Sequence, residues 1–190
     1  MKPILIASAP ALPLLPFTDL TTNWKLDGPH AKLRFSITHL GISDVEGSFR
    51  TIDATVTSNS EDLTNAVIAF TADAKSIDTA SKMRDEHLRG ADFFDVAKYP
   101  TITFTSTAIT KTAECKYKVS GNLTMHGVIK PVELTATARF GDNPMTKHRV
   151  LGVKVTGAVD RTQFRVGGGF GGAMLSDNVE ITANTEFVKQ

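Results

Sequence analysis

The stretch "YKVSGNLTMHGVIKPVELTATARF", residues 117–140, decides the fold class. Tyr117, Val119, Gly121, Leu123 and Met125 alternate with Lys118, Ser120, Asn122 and Thr124. Val132, Leu134, Ala136, Ala138 and Phe140 then alternate with Glu133, Thr135, Thr137 and Arg139. Successive strand side chains point to opposite faces, so each run has one dry face and one wet face. Between the runs, "MHGV" reads as a tight hairpin turn, because Gly accepts positive φ freely and His tolerates it. The pair is a long antiparallel hairpin, covered on one side only.

The same period extends in both directions from this hairpin, and it dominates from Lys25 onward. "LRFSITH" puts Leu33, Phe35, Ile37 and His39 on one face. "VEGSF" and "IDATV" place Val45, Gly47 and Phe49, then Ile52, Ala54 and Val56, inward. The parity change between them predicts a bulge or bend in one strand. "IAFTADA", "TITFTS", "VKVTGAV" and "VEITANTEF" complete the set, and "GDNP" marks a further turn. These are eight strands, most of about ten residues, and antiparallel strands in that number close most naturally into a barrel. Several inward positions are Gly, Ala or Thr, which predicts a hollow interior.

Composition narrows the function classes. With 21 basic and 20 acidic residues the net charge is +1, so a phosphate-backbone binder is not expected. The single cysteine, Cys115, excludes an intrachain disulfide and a cysteine-based zinc cluster. His30, His39, His87, His126 and His148 lack metal-ligand spacing, so no metal is expected. "GGGFGG" at 167–172 matches G-x-G-x-x-G, but a strand rather than a helix follows it, which excludes a dinucleotide loop. There is no G-x-S-x-G nucleophile motif. The opening run "MKPILIASAPALPLLPF" is too short and too broken by proline to span a membrane, and residues 1–22 read as a signal peptide or a disordered N-terminal arm.

One segment is helical. Ser81 precedes "KMRDEHLR", Gly90 stops it, and "DFFDVAK" makes a second turn before Tyr99-Pro100 forces extended backbone. This is the connection after strand 3.

Taken together, "WKLDGPHAKLRFSITHLGISDVEGSF", "SIDT", "RDEHLRGADFFDVAKYPTITFTST", "GNLTMHGVIKPVEL" and "SDNVEI" resemble the YceI-like family, lipocalin-like, polyisoprenoid-binding proteins of bacteria. The likeness runs from about Trp24 to the C-terminus. It implies an all-β fold, an eight-stranded antiparallel barrel with a short helical connection after strand 3, spanning residues 23–190. It also implies a long apolar interior that holds an isoprenoid or similar amphiphile, and a periplasmic or secreted location. If the N-terminal run is not a functional signal, the location is cytoplasmic.

On this reading Phe35, Ile37, Phe49, Phe70, Phe104, Val119, Leu123, Leu134 and Val155 line the tunnel. His39, Arg84 and His87 meet a headgroup, and Phe93 and Phe94 gate the opening. Three readings of Arg84, Asp85 and His87 stay open: a polar collar for a headgroup, helix-surface pairs Asp85–Arg89 and Arg84–His87, or a clamp holding the helix to the rim. Of Phe93 and Phe94, one is expected to plug the barrel and the other to pack on Tyr99. The expected partner is a long-chain lipid, with no other cofactor, no nucleic acid and no stable membrane insertion; a homodimer stays open. The protein reads as a carrier or sequestering protein rather than an enzyme. The alternatives are an enzyme using His39 or His87 as acid or base on a lipid-like substrate, and a stress-related envelope protein with a solid barrel.

Overall fold

A sheet with one dry face must either cover it with a second layer or curl around it, and this sheet curls. A computed structural model of the chain describes residues 21–60 and 62–190. The signal or arm reading of the N-terminus falls, up to residue 20, outside the described residues. The strands are β1 (Thr22–Leu26), β2 (Lys32–His39), β3 (Ser43–Phe49), β4 (Ile52–Ser58), β5 (Val67–Asp73) and the two-residue β6 (Ile77–Asp78). They continue with β7 (Thr101–Ala113), β8 (Lys116–Met125), β9 (Val128–Asp142), β10 (Arg149–Asp160) and β11 (Asn178–Lys189), and the helix α1 spans Lys82–Arg89.

All pairings are antiparallel, and the order closes on itself because β1 bonds to both β4 and β11. Around the barrel these segments form eight strands. β1 and β2 are two halves of one bent strand against β11, interrupted by a 3₁₀ turn at Gly28–His30. β3 and β4 are likewise two halves, broken at Arg50 and Thr51, with β3 paired to β2 and β4 paired to β5. The parity change in the sequence is this break. Strands β7 to β11 are 10 to 15 residues long. At about 3.3 Å per residue and a tilt near 40°, they make a wall roughly 25–38 Å tall.

His126 and Gly127 turn the β8–β9 hairpin with φ of 51° and 73°, as the sequence requires. The β9–β10 turn is longer than "GDNP" suggested: Asn143 N donates to His148 O, and the Asn143 side chain accepts from the backbone of Met145 and Thr146. In β7 the register shifts between Ser106 and Ala108, so Ile102 and Phe104 face inward before the bulge and Ile109 after it. That slip hid the second half of β7 from a period-two reading. At one end of the barrel, the floor, Trp24 packs on Phe140 with ring centroids 5.5 Å apart, and Leu63 and Leu151 are buried beside them.

The inward glycines behave differently from the expectation. A Cβ at Gly47 would collide with the Phe35 ring, one at Gly121 with the Phe104 ring, and one at Gly157 with Leu134. Each glycine is a recess into which a neighbouring large side chain lies down. The interior stays open because rings lie along the wall instead of crossing it.

Candidate functional site

The barrel encloses a cavity of about 450 Å³, within the roughly 300–1,000 Å³ usual for small-molecule sites. Its wall is the dry face of every strand but β1: Tyr117, Val119 and Leu123 from β8, Val132, Leu134 and Ala136 from β9, and Val179, Ile181 and Ala183 from β11, among others. Phe35, Ile37, Phe49, Phe70, Phe104, Val119, Leu123, Leu134 and Val155 all line it, as do His39, Arg84, His87, Phe93 and Phe94. The solid barrel is therefore corrected, for the side chains of eight strands leave a continuous void.

The mouth is where chain order stops explaining geometry. β2, β8 and β10 end there, and α1 and the glycine-rich loop after β10 lie across it. α1 is held by its charged residues. Asp85, only 7% exposed, accepts from Thr79 N (2.8 Å) and Thr79 Oγ1 (2.6 Å). Arg84 Nε donates to Thr79 Oγ1 (2.7 Å) and an Nη donates to Thr79 O (2.8 Å). Arg89 donates to the carbonyls of Lys75 and Ile77, both at 2.8 Å. The helix-surface pairs are thereby corrected: Asp85 and Arg89 face different partners in the 75–79 segment, and Arg84 reaches Thr79 rather than His87. Burial decides this, since a carboxylate removed from water needs donors at hand. Ser81 sits at the helix start without a side-chain cap, and Gly90 ends it in extended backbone.

Phe93 is buried and stacks on Phe170 at 5.1 Å, with the His87 ring edge-on at 5.0 Å. Phe94 meets Phe49 edge-on at 5.7 Å. Tyr99 is not the partner of either; it packs on His126 at 4.8 Å, beside the β8–β9 turn. His87 Nε2 lies 3.9 Å from Asp92 Oδ2, and both side chains are more than half exposed. Neither ring nitrogen of His39 has a hydrogen-bond partner among the described residues.

The residue missed from sequence is Arg161. It is 3% exposed and donates to five carbonyls: Ser176 (2.9 Å), Val166 (3.0 Å), Gly167 (2.7 Å), Phe170 (2.7 Å) and Leu175 (3.0 Å). It knits the glycine-rich loop into a fixed cover. Just before it, Asp160 accepts from Thr162 Oγ1 (2.6 Å), Thr162 N and Gln163 Nε2, and these donors hold its carboxyl below the usual range, the Thr162 hydroxyl foremost. Every charged side chain that lines the cavity is a base, Arg84 or Arg161; no carboxylate does.

Away from the cavity, Asp27, His30 and Glu186 bring three possible ligand atoms within 4.8 Å of one another on the outer surface. His30 Nδ1 is 2.8 Å from Asp27 Oδ2, and that contact raises the histidine's pKa. Cys115 lies in the β7–β8 turn at φ 58°, one residue before β8.

A YceI-like domain model matches residues 24–187, from the floor tryptophan to Phe187 near the end of β11. The chain belongs to the YceI-like family. A UPF0312 protein of Pectobacterium carotovorum is 37% identical over 174 residues, covering 90% of this chain and 88% of that protein. The crystal structure of Burkholderia cenocepacia BcnA superposes with a TM-score of 0.74 at 25% identity, over 85% of this chain and 98% of that one. A polyisoprenoid binding domain from Saccharophagus degradans, implicated in plant cell wall breakdown, shares the fold at TM-score 0.70 and 14% identity, over 88% and 98% of the two chains. For this YceI-like chain the barrel, its closure and the helical connection stand as read from sequence.

Proposed function

We propose that this protein binds a long-chain isoprenoid or a similar amphiphilic lipid within the barrel, as a non-enzymatic carrier or sequestering protein of the bacterial envelope. The observation that carries the reading is the cavity of about 450 Å³, walled by aliphatic and aromatic side chains from every strand but β1. The named relation of the S. degradans domain to polyisoprenoids supports the ligand class. Moving a fifteen-carbon chain out of water gains about 12 kcal/mol at about 0.8 per methylene. Association costs of at least about 4 kcal/mol leave up to about 8 kcal/mol, a micromolar dissociation constant. With bases and no carboxylate among the charged lining groups, the polar end of the ligand is anionic or a neutral hydrogen-bond acceptor. His39 and His87 are the groups that meet it, since Arg84 and Arg161 are engaged by the protein itself. The envelope location rests on the reading of the N-terminal run.

Native mass spectrometry of the purified protein, followed by solvent extraction, tests this. A co-purified lipid recovered chemically intact is expected. Protein that carries no lipid and takes up no long-chain fluorescent probe sinks the binding role. Recovery of a lipid altered at one bond, with the alteration lost in His39→Ala or His87→Ala, returns the protein to the enzymes.

A further inference from the structure

Two uncharged stretches meet at the mouth. Residues 36–43 (SITHLGIS) and 166–176 (VGGGFGGAMLS) contain no Asp, Glu, Lys or Arg, in a chain where such residues make up 22%. Backbone contacts zip them together: Leu40 N donates to Met174 O (2.9 Å), Ser176 N donates to Thr38 O (2.9 Å), and His39 forms a β-bridge with Leu175. Their tips hold apolar side chains out to solvent, with Leu40 50%, Ile42 82% and Met174 48% exposed. Met83, one turn before His87 on α1, is 83% exposed.

Single exposed apolar residues need no explanation, but these four stand around the opening of an apolar cavity. The uncharged arc of rim along 36–43 and 166–176 lets that side of the opening meet a low-dielectric phase without stranding an ion there. On the lipid-binding reading, the cargo resides in such a phase, and crossing water costs it about 0.8 kcal/mol per methylene. Methionine side chains are unbranched and adapt to a fluid surface. A second copy of the chain is the weaker occupant, because a stable dimer wants about 800 Å² of continuous surface per partner, and these tips stand on three separate segments. Beside Met83, α1 exposes Lys82 and Glu86; the lysine's ammonium suits anionic headgroups.

We propose that the mouth rim is a membrane-docking surface: Leu40, Ile42, Met83 and Met174 enter the interfacial layer of a lipid bilayer and set the cavity opening against it. The attachment proposed is through these four side chains; no helix among the described residues is long and apolar enough to cross a membrane. The proposal rests on the lipid-binding reading, and its test separates the two.

Flotation with vesicles of phosphatidylcholine and phosphatidylglycerol compares the wild type with Ile42→Asp/Met83→Glu, neither of which lines the cavity. Dansyl-undecanoate binding in vesicle-free buffer is measured in parallel. The wild type is expected to float, and the double variant to partition at least about ten-fold less, from the apolar burial lost, with dansyl-undecanoate affinity unchanged. A wild type that binds dansyl-undecanoate but stays with the soluble fraction overturns docking and leaves lipid binding intact. One that floats but binds no dansyl-undecanoate keeps docking and removes lipid binding. If the variant is misfolded, Ile42→Trp serves in its place: its emission shifts to the blue on vesicles against the constant background of buried Trp24, and no shift overturns the proposal. A concentration-dependent dimer that Ile42→Asp dissolves, without flotation of the wild type, assigns the rim to self-association and overturns it as well.

Discussion

Replacing Arg161 with alanine removes the only side chain that bonds five backbone carbonyls at the mouth among the described residues. At about 1 kcal/mol net for each hydrogen bond, the loss sums to about 5 kcal/mol. Four of the acceptors lie on the 166–175 loop, which can turn outward and bond to water, recovering part of that. The expected destabilisation is about 3–5 kcal/mol, near the upper end for a point substitution. For a domain of this size each kcal/mol moves Tm by about 2–4 °C, so the melting point falls by roughly 6–20 °C. Arg161→Lys keeps the charge but replaces a planar fork by a single ammonium, and recovers less than half of the loss. Thermal and urea unfolding followed by emission of Trp24, the only tryptophan, reads both variants. Trp24 lies at the floor, far from the substitution, so it reports global unfolding rather than local opening of the loop. A Tm for Arg161→Ala within about 2 °C of wild type would mean that the guanidinium merely fills a hole, and the argument would fail.

Gly121→Val drives a side chain into the Phe104 ring and the Thr105 carbonyl, and should cost about 1–3 kcal/mol; chemical denaturation with an unchanged midpoint would refute the recess. Val119→Trp puts bulk into the middle of the cavity from a position 3% exposed. It should weaken uptake of a long-chain fluorescent probe more than that of a short one, and equal affinity for both probes in the variant would contradict an elongated site. Asp160 has its pKa lowered in the folded state, chiefly by the Thr162 hydroxyl, so the stability it contributes is present above the ordinary carboxylate value near 4. That contribution is lost as pH falls through the folded value. The Tm gap between wild type and Asp160→Asn should therefore shrink between about pH 5 and pH 2.5, and a gap constant with pH would show that the charge on the carboxylate does not strengthen its bonds to Thr162 and Gln163.

Period-two alternation determined the class, the strand count and the inward list, because a strand's facing is a local property of the chain. Val119, Leu123 and Leu134 line the cavity for the same reason that they alternate with Lys118, Asn122 and Glu133. The glycine-containing turn at His126-Gly127 was equally legible, since positive φ belongs to single residues. What failed depended on partners distant in sequence. Asp85 and Arg89 look like a helix pair until burial gives each a different partner in the 75–79 segment. Inward Gly47 and Gly121 read as empty space until the rings of Phe35 and Phe104 lie down over them. Arg161 carried no signal, because a lone arginine after a strand looks like any surface cation. Only closure of the barrel places it beneath the 166–176 loop, where water is excluded and five carbonyls need a donor. Local pattern wrote the wall, and the closing of the barrel decided what its mouth is made of.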